Sequence, residues 1–140
     1  KAFPKVRELF ERIKRDGKRI GLASSAKKDE LEAYKRIAVI EDLVEAETSS
    51  GDVEKSKPHP DVFAAALDRF DSIELGEVIV VGDTPHDAQA ASKLNLPMIG
   101  MLCGGWSKSE LQKAGCIEVY RDPAQLLSRY DNSPISRQVR

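Results

Sequence analysis

Four consecutive β-branched residues at positions 78–81, Val-Ile-Val-Val, are the sequence feature that most restricts the fold. β-branched residues favour extended backbone, and an apolar run of this length without polar alternation is typical of a strand buried on both faces. Gly76 precedes the run and Gly82 follows it, so the run has the length of one strand. It therefore predicts the central strand of a buried parallel sheet.

Other strand and helix patterns alternate around this run. Four further apolar runs predict strands, and the segments between them include the 3.6-residue spacing of amphipathic helices. This alternation predicts an α/β fold with a doubly wound, mainly parallel, Rossmann-like sheet. We expect one domain over residues 1–130 and a loose C-terminal tail over residues 131–140. The additional predicted strands are 20–23, 43–48, 98–102 and 117–120.

The composition is that of a globular chain without the charge pattern of a nucleic-acid-binding protein. Among 140 residues, 22 are basic and 23 are acidic, and the two signs are interspersed. No basic stripe and no apolar run of about 20 residues is present, so neither nucleic acid nor a membrane is an expected partner. The two cysteines lack metal-ligand spacing, and we expect them to be reduced in a cytoplasmic protein.

The residues that follow the predicted strands form the candidate site, because ligands of such sheets bind at the carboxyl ends of the strands. Asp83 directly follows the central strand, and Asp87 lies in the first turn of the next helix. One or two carboxylates, with water and phosphate oxygens, are the ligands that Mg²⁺ prefers. Acidic residues at a helix start also cap it and complement its dipole, so the residues alone leave both interpretations open.

Two other polar segments occupy comparable positions. Ser24 and Ser25 follow the first predicted strand, where a hydroxyl and free backbone N–H groups either bind an anion or cap a helix. Lys57 lies in a loop that Pro58 and Pro60 stiffen. Its ammonium group is therefore either directed at a phosphate group or solvated at the surface.

These segments, in this order, resemble three of the four motifs of the haloacid-dehalogenase-like superfamily over nearly the whole chain. The resemblance implies that Ser24 and Ser25 bind the transferring phosphoryl group and that Lys57 bridges this group and the nucleophile. It implies that Asp83 is a Mg²⁺ ligand and that Asp87 is either a second ligand or the acid that holds a metal-bound water. The matching segments are Leu22 to Ser25, Ser56 to Pro58 with Pro60-Asp61, Gly82 to Asp87 with Ala90-Ala91, and the glycine-containing Cys103 to Gly105.

The first motif of that superfamily, Asp-x-Asp, occurs nowhere in the chain. In the family these two acids are the nucleophile and the general acid and base, so we expect the chain alone to be inactive. It resembles a partial core domain that lacks the first strand and any cap. We expect the missing N-terminal segment of the same protein, or a completing partner chain, to supply that strand. Without it, the strands that contain Ile20 and Val78 would each have an unpaired hydrophobic edge.

The resemblance implies a magnesium-dependent phosphatase that acts on a small phosphorylated metabolite. A phosphomutase and a metal-free haloacid dehalogenase of the same superfamily are alternatives, and the pair Asp83 and Asp87 favours metal-dependent phosphoryl transfer. A non-catalytic binding module with this fold is a further alternative. A two-component receiver domain is disfavoured because its acids precede its lysine along the chain, whereas here Lys57 comes first.

Overall fold

In the computed structural model, helices and short strands alternate along the chain. The structure describes residues 4–23, 28–48, 61–70 and 73–137. Within these residues, no helix is long and apolar enough to cross a membrane. The elements in chain order are α1 (Val6–Arg15), β1 (Gly21–Ala23), α2 (Lys28–Ala38), β2 (Ala46–Thr48), α3 (Asp61–Leu67), β3 (Val80–Gly82), α4 (Pro85–Lys93), β4 (Met98–Met101), α5 (Lys108–Ala114), β5 (Glu118–Tyr120), α6 (Pro123–Ser128) and α7 (Pro134–Arg137), with short 3₁₀ helices at Leu75–Glu77, Leu102–Gly104 and Tyr130–Asn132.

The described strands form two parallel sheets. β1 pairs with β2, with Gly21 opposite Ala46. β4 lies between β3 and β5, and Val80 of β3 is opposite Met98 of β4. The parallel pairing and the intervening helices confirm the predicted α/β fold class.

Helices cover both faces of the three-stranded sheet. All four residues of β4 are buried, and alternate side chains enter different hydrophobic clusters. Met98 packs with Leu111 of α5. Ile99 packs on the other side with Leu9 of α1. The sheet is therefore doubly wound, with its core divided between its two faces.

β3 lies at the edge of its sheet, although its β-branched residues predict a central strand. Val81 is 45% exposed, and no described strand pairs with its outer edge. Among the described strands, β1 pairs with β2 alone and is also an edge strand, and Gly21 is exposed. The prediction that β3 is a central strand was wrong for the described sheet. The hydrophobicity of a strand predicts that it is buried, but it does not specify which strands lie beside it. Among the described strands, β1 and β3 each have one edge without a partner strand, and the missing first strand stays a prediction.

The C-terminal segment packs against α1, whereas the sequence predicts a loose tail from Asp131. Within the predicted tail, Ser133 is 0% exposed and Ile135 is 6% exposed, and the preceding Tyr130 is 1% exposed. Arg12 of α1 lies 4.3 Å from the centroid of the Tyr130 ring and forms an ion pair with Asp131 at 2.5 Å. The few apolar residues after Asp131 form no periodic pattern, so the sequence does not indicate that this segment packs against α1. Residues 138–140 of the predicted tail lie outside the described residues.

Candidate functional site

The turn between β3 and α4 presents Asp83 at the carboxyl edge of the sheet. β3 ends at Gly82 and α4 begins at Pro85, so Asp83 and Thr84 form the connection. The Thr84 hydroxyl accepts a hydrogen bond from the backbone N–H of Asp87 at 3.1 Å, which caps α4. Pro85 suits the first helical position because no intrahelical partner is available there for a backbone N–H. Asp83 therefore lies between the end of β3 and the capped start of α4.

Asp87 completes the cap and holds the backbone of the turn. Its Oδ2 accepts hydrogen bonds from the backbone N–H groups of Asp83 and Thr84, both at 3.2 Å. Together with the Thr84 hydroxyl bond, this is a capping box, and Asp87 is 3% exposed. The helix-capping interpretation therefore holds for Oδ2. The role of Asp87 as a Mg²⁺ ligand stays a prediction.

Both carboxylates lie against glycines. A Cβ placed on Gly104 would lie 2.5 Å from Oδ2 of Asp83, and one on Gly82 would lie 2.7 Å from Oδ2 of Asp87. Real Cβ atoms essentially never approach another heavy atom closer than 3.0 Å. Gly104 belongs to the 3₁₀ helix that follows β4, so the carboxylate of Asp83 extends toward the end of the neighbouring strand.

The charge of Asp83 affects two neighbouring ionisable groups. Burial raises the pKa of the Cys103 thiol, and the negative charge of Asp83 raises it further. Burial also raises the pKa of the Tyr34 hydroxyl, with smaller contributions from Cys103 and Asp83. Tyr34 belongs to α2 and Cys103 to the segment after β4. The charge of Asp83 therefore reaches groups on α2 and on the segment after β4.

We expect Asp83→Asn to shift the alkylation of Cys103 to lower pH. Removal of the negative charge lowers the thiol pKa and increases the reactive thiolate fraction at a given pH. The measurement is the rate of iodoacetamide labelling against pH, resolved by peptide mass spectrometry. Cys116 is the internal control, because its pKa is raised by burial and then by Asp87. An unchanged Cys103 profile would contradict the coupling to Asp83.

The donor atoms at this site suit a hard divalent cation. Asp83 provides carboxylate oxygens at a half-buried position, and its backbone N–H donates to the buried carboxylate of Asp87. Among the residues that the structure describes, no group of three or more His, Cys, Asp or Glu side chains could hold a metal ion. A site with one or two carboxylates is consistent with Mg²⁺, which keeps several water ligands and binds substrate phosphate.

The structure brings together only part of the predicted site. Asp83 and Asp87 lie side by side at the start of α4. Ser24, Ser25 and Lys57 lie outside the described residues, so their phosphate-binding and catalytic roles stay predictions. β1 does end directly before Ser24, as expected.

Two residues around Asp83 were not identified as functional from the sequence. Thr84 had a recognisable signal, since Thr-x-x-Asp is a capping-box pattern. The glycine-containing segment after β4 resembles a family motif, but nothing in its pattern indicates that Gly104 contacts Asp83. That contact joins two different strand ends and therefore requires the tertiary structure.

Similarity to known proteins extends over most of the chain. A family model described as haloacid dehalogenase-like hydrolase matches residues 1–101. The pyrophosphatase PpaX of Bacillus mycoides (strain KBAB4) is 23% identical over 137 residues, which are 98% of this chain and 60% of that protein. The chain thus spans less than two thirds of the length of this curated relative.

Solved structures have the same fold. A hydrolase from Pseudomonas syringae superposes with a TM-score of 0.84 at 30% sequence identity, over 94% of this chain and 62% of that one. A putative beta-phosphoglucomutase from Thermotoga maritima superposes with a TM-score of 0.83 at 22% identity, over 93% of this chain and 60% of that one. The second similarity concerns the fold alone.

Proposed function

Because the chain belongs to the haloacid dehalogenase-like hydrolase family, we propose that the full-length protein is a magnesium-dependent phosphatase that acts on a small phosphorylated metabolite. The observation that carries the proposal is the position of Asp83. Its half-buried carboxylate lies at the carboxyl end of β3, its backbone N–H donates to Asp87, and its side chain contacts Gly104. A cation that Asp83 binds together with a substrate phosphate would lie at the carboxyl ends of the strands, where sheets of this type bind ligands.

In the proposed reaction, the residues of this chain bind and orient the phosphoryl group. The Ser24 hydroxyl and the Ser25 backbone N–H would donate hydrogen bonds to its oxygens. Lys57 would neutralise part of its negative charge and favour the ionised form of a carboxylate nucleophile. Asp83 and Asp87 would hold Mg²⁺, which, when bound, screens the repulsion between that nucleophile and the phosphate dianion. The nucleophile and the general acid and base are assigned to no residue of this chain.

We also propose that a strand from the rest of the protein, or from a completing partner chain, lies between β1 and β3. Among the described residues, both strands have an unpaired edge. Ala23 of β1 and Val80 of β3 pack against the same hydrophobic cluster. The two strands therefore pack on the same part of the core, and a further parallel strand between them would satisfy the backbone groups of both edges.

The isolated 140-residue chain is accordingly expected to aggregate or to pair with another chain, because two open hydrophobic edges favour strand addition. Size-exclusion chromatography with light scattering, together with thermal unfolding, measures this directly. A monodisperse monomer of the isolated chain that unfolds cooperatively would count against a missing strand.

The proposed activity is tested by phosphate release from an aryl phosphate in the presence of Mg²⁺. The full-length protein should release phosphate and lose this activity when Mg²⁺ is chelated, whereas the isolated chain should release none. Activity of the isolated chain that survives repurification and is lost in Asp83→Asn would contradict the placement of the nucleophile elsewhere. An isomerised sugar phosphate in place of free phosphate would indicate a phosphomutase.

A further inference from the structure

The backbone of Gly104 lies closer to Asp83 than any residue with a side chain would allow. A Cβ at this position would lie 2.5 Å from Oδ2, 2.6 Å from Cγ and 2.7 Å from Cβ of Asp83. Rotation of the carboxylate would relieve the first contact but not the third, because the Cβ of Asp83 is fixed by the backbone. A methyl group on Gly104 would therefore displace Asp83 as a whole or the loop after β4.

The requirement for glycine at this position is steric. Gly104 does not have the left-handed backbone conformation that favours glycine, whereas the next residue, Gly105, has a φ of 94°. A Cβ on Gly105 would meet no atom within 4 Å. The two neighbouring glycines thus serve different purposes, and only Gly104 leaves space for the carboxylate of Asp83.

Contacts from two different elements help to hold Asp83 in place. The hydrogen bond from its backbone N–H to Asp87 fixes the main chain of the turn. The contact with Gly104 limits the position of the side chain. The first contact comes from α4 and the second from the loop after β4, so both elements contribute to the position of Asp83.

We propose that Gly104 is a positioning residue that sets where the Asp83 carboxylate binds a divalent cation. The proposal rests on the proposed function, because it takes Asp83 as a Mg²⁺ ligand. In Gly104→Ala, the new Cβ and Oδ2 of Asp83 would have to move apart from 2.5 Å to the 3.4 Å of ordinary van der Waals contact. This requires a shift of about 1 Å. Functional groups have to be held to within roughly 0.5 Å of their productive positions, so such a shift weakens metal binding.

The first experiment measures Mg²⁺ binding to the full-length protein by isothermal titration calorimetry. We expect Gly104→Ala to weaken binding at least about tenfold, since misplacement by about 1 Å has effects of up to about 100-fold. Gly76→Ala is the matched control. Gly76 is also an exposed glycine in a 3₁₀ helix, and a Cβ on it would meet nothing within 4 Å. Wild-type affinity in Gly104→Ala would overturn the proposal.

The second experiment separates the steric contact from the proposed function. We expect Gly104→Ala to lower the thermal unfolding midpoint of the wild-type protein but not that of Asp83→Gly, in which the three close atoms are absent. The same change in both backgrounds, including no change in either, would overturn the positioning role. If the wild-type protein binds no Mg²⁺, the proposed metal-dependent function fails, and this comparison alone decides whether Gly104 positions Asp83.

Discussion

Replacement of Asp83 by asparagine in the full-length protein is expected to lower phosphomonoester turnover about 1000-fold. This is the upper end of the loss that follows removal of one group that stabilises charge in the transition state. Asparagine keeps the size of aspartate but loses the negative charge, and Mg²⁺ prefers charged carboxylate oxygens. Asp83 is half-buried, so water compensates only partly for the lost ligand. The measurement is kcat for an aryl phosphate as a function of Mg²⁺ concentration.

Asp122→Asn is the matched control for this substitution. Asp122 also follows a strand end, and its carboxylate caps α6 by accepting a hydrogen bond from the backbone N–H of Gln125 at 2.9 Å. Asparagine caps helices about as well as aspartate, so we expect turnover to stay close to that of the wild-type protein. A wild-type rate in Asp83→Asn, or an equal loss in both variants, would contradict the assignment of Asp83 to the site.

Substitution of Lys57 by alanine is expected to reduce turnover about 100-fold to 1000-fold, because an aimed cation then no longer compensates the charge of the phosphate. Lys57→Arg should restore only part of the rate, since the planar guanidinium group does not replace a compact ammonium group. Steady-state kinetics with an aryl phosphate, together with inhibition by inorganic phosphate, measure both effects.

Lys55→Ala is the control for Lys57, because it removes the same charge two residues earlier in the sequence. A general electrostatic effect of positive charge in this segment of the sequence would reduce turnover in both lysine variants, whereas a specific role affects Lys57 alone. Near-wild-type activity of Lys57→Ala would remove Lys57 from the proposed site.

The features that the sequence predicted well depend on interactions between near neighbours in the chain. At the start of α5, the Ser107 hydroxyl accepts a hydrogen bond from the Glu110 backbone N–H at 3.1 Å, and the Glu110 side chain accepts one from the Ser107 backbone N–H at 3.0 Å. Both bonds join residues three apart, so the Ser-x-x-Glu pattern specifies them. The same reasoning predicted α1 from its apolar spacing, and its residues Val6 and Leu9 are buried.

The features that the sequence did not predict depend on contacts between distant segments. The burial of Ile135 requires α1 as a packing partner. The edge position of β3 depends on which strands are present beside it, and its β-branched residues carry no information on that. The relation of Ser24 and Lys57 to Asp83 is likewise long-range, and their positions lie outside the described residues.

By itself, the sequence determined the alternating α/β elements and the placement of Asp83 at a strand end, because hydrophobic periodicity and helix capping act over a few residues. Only the tertiary structure decided that the described strands β1 and β3 belong to separate sheets and that Gly104 contacts the carboxylate of Asp83. The geometry of the turn and the packing of separate strands set these contacts, and residue type and spacing alone do not specify them.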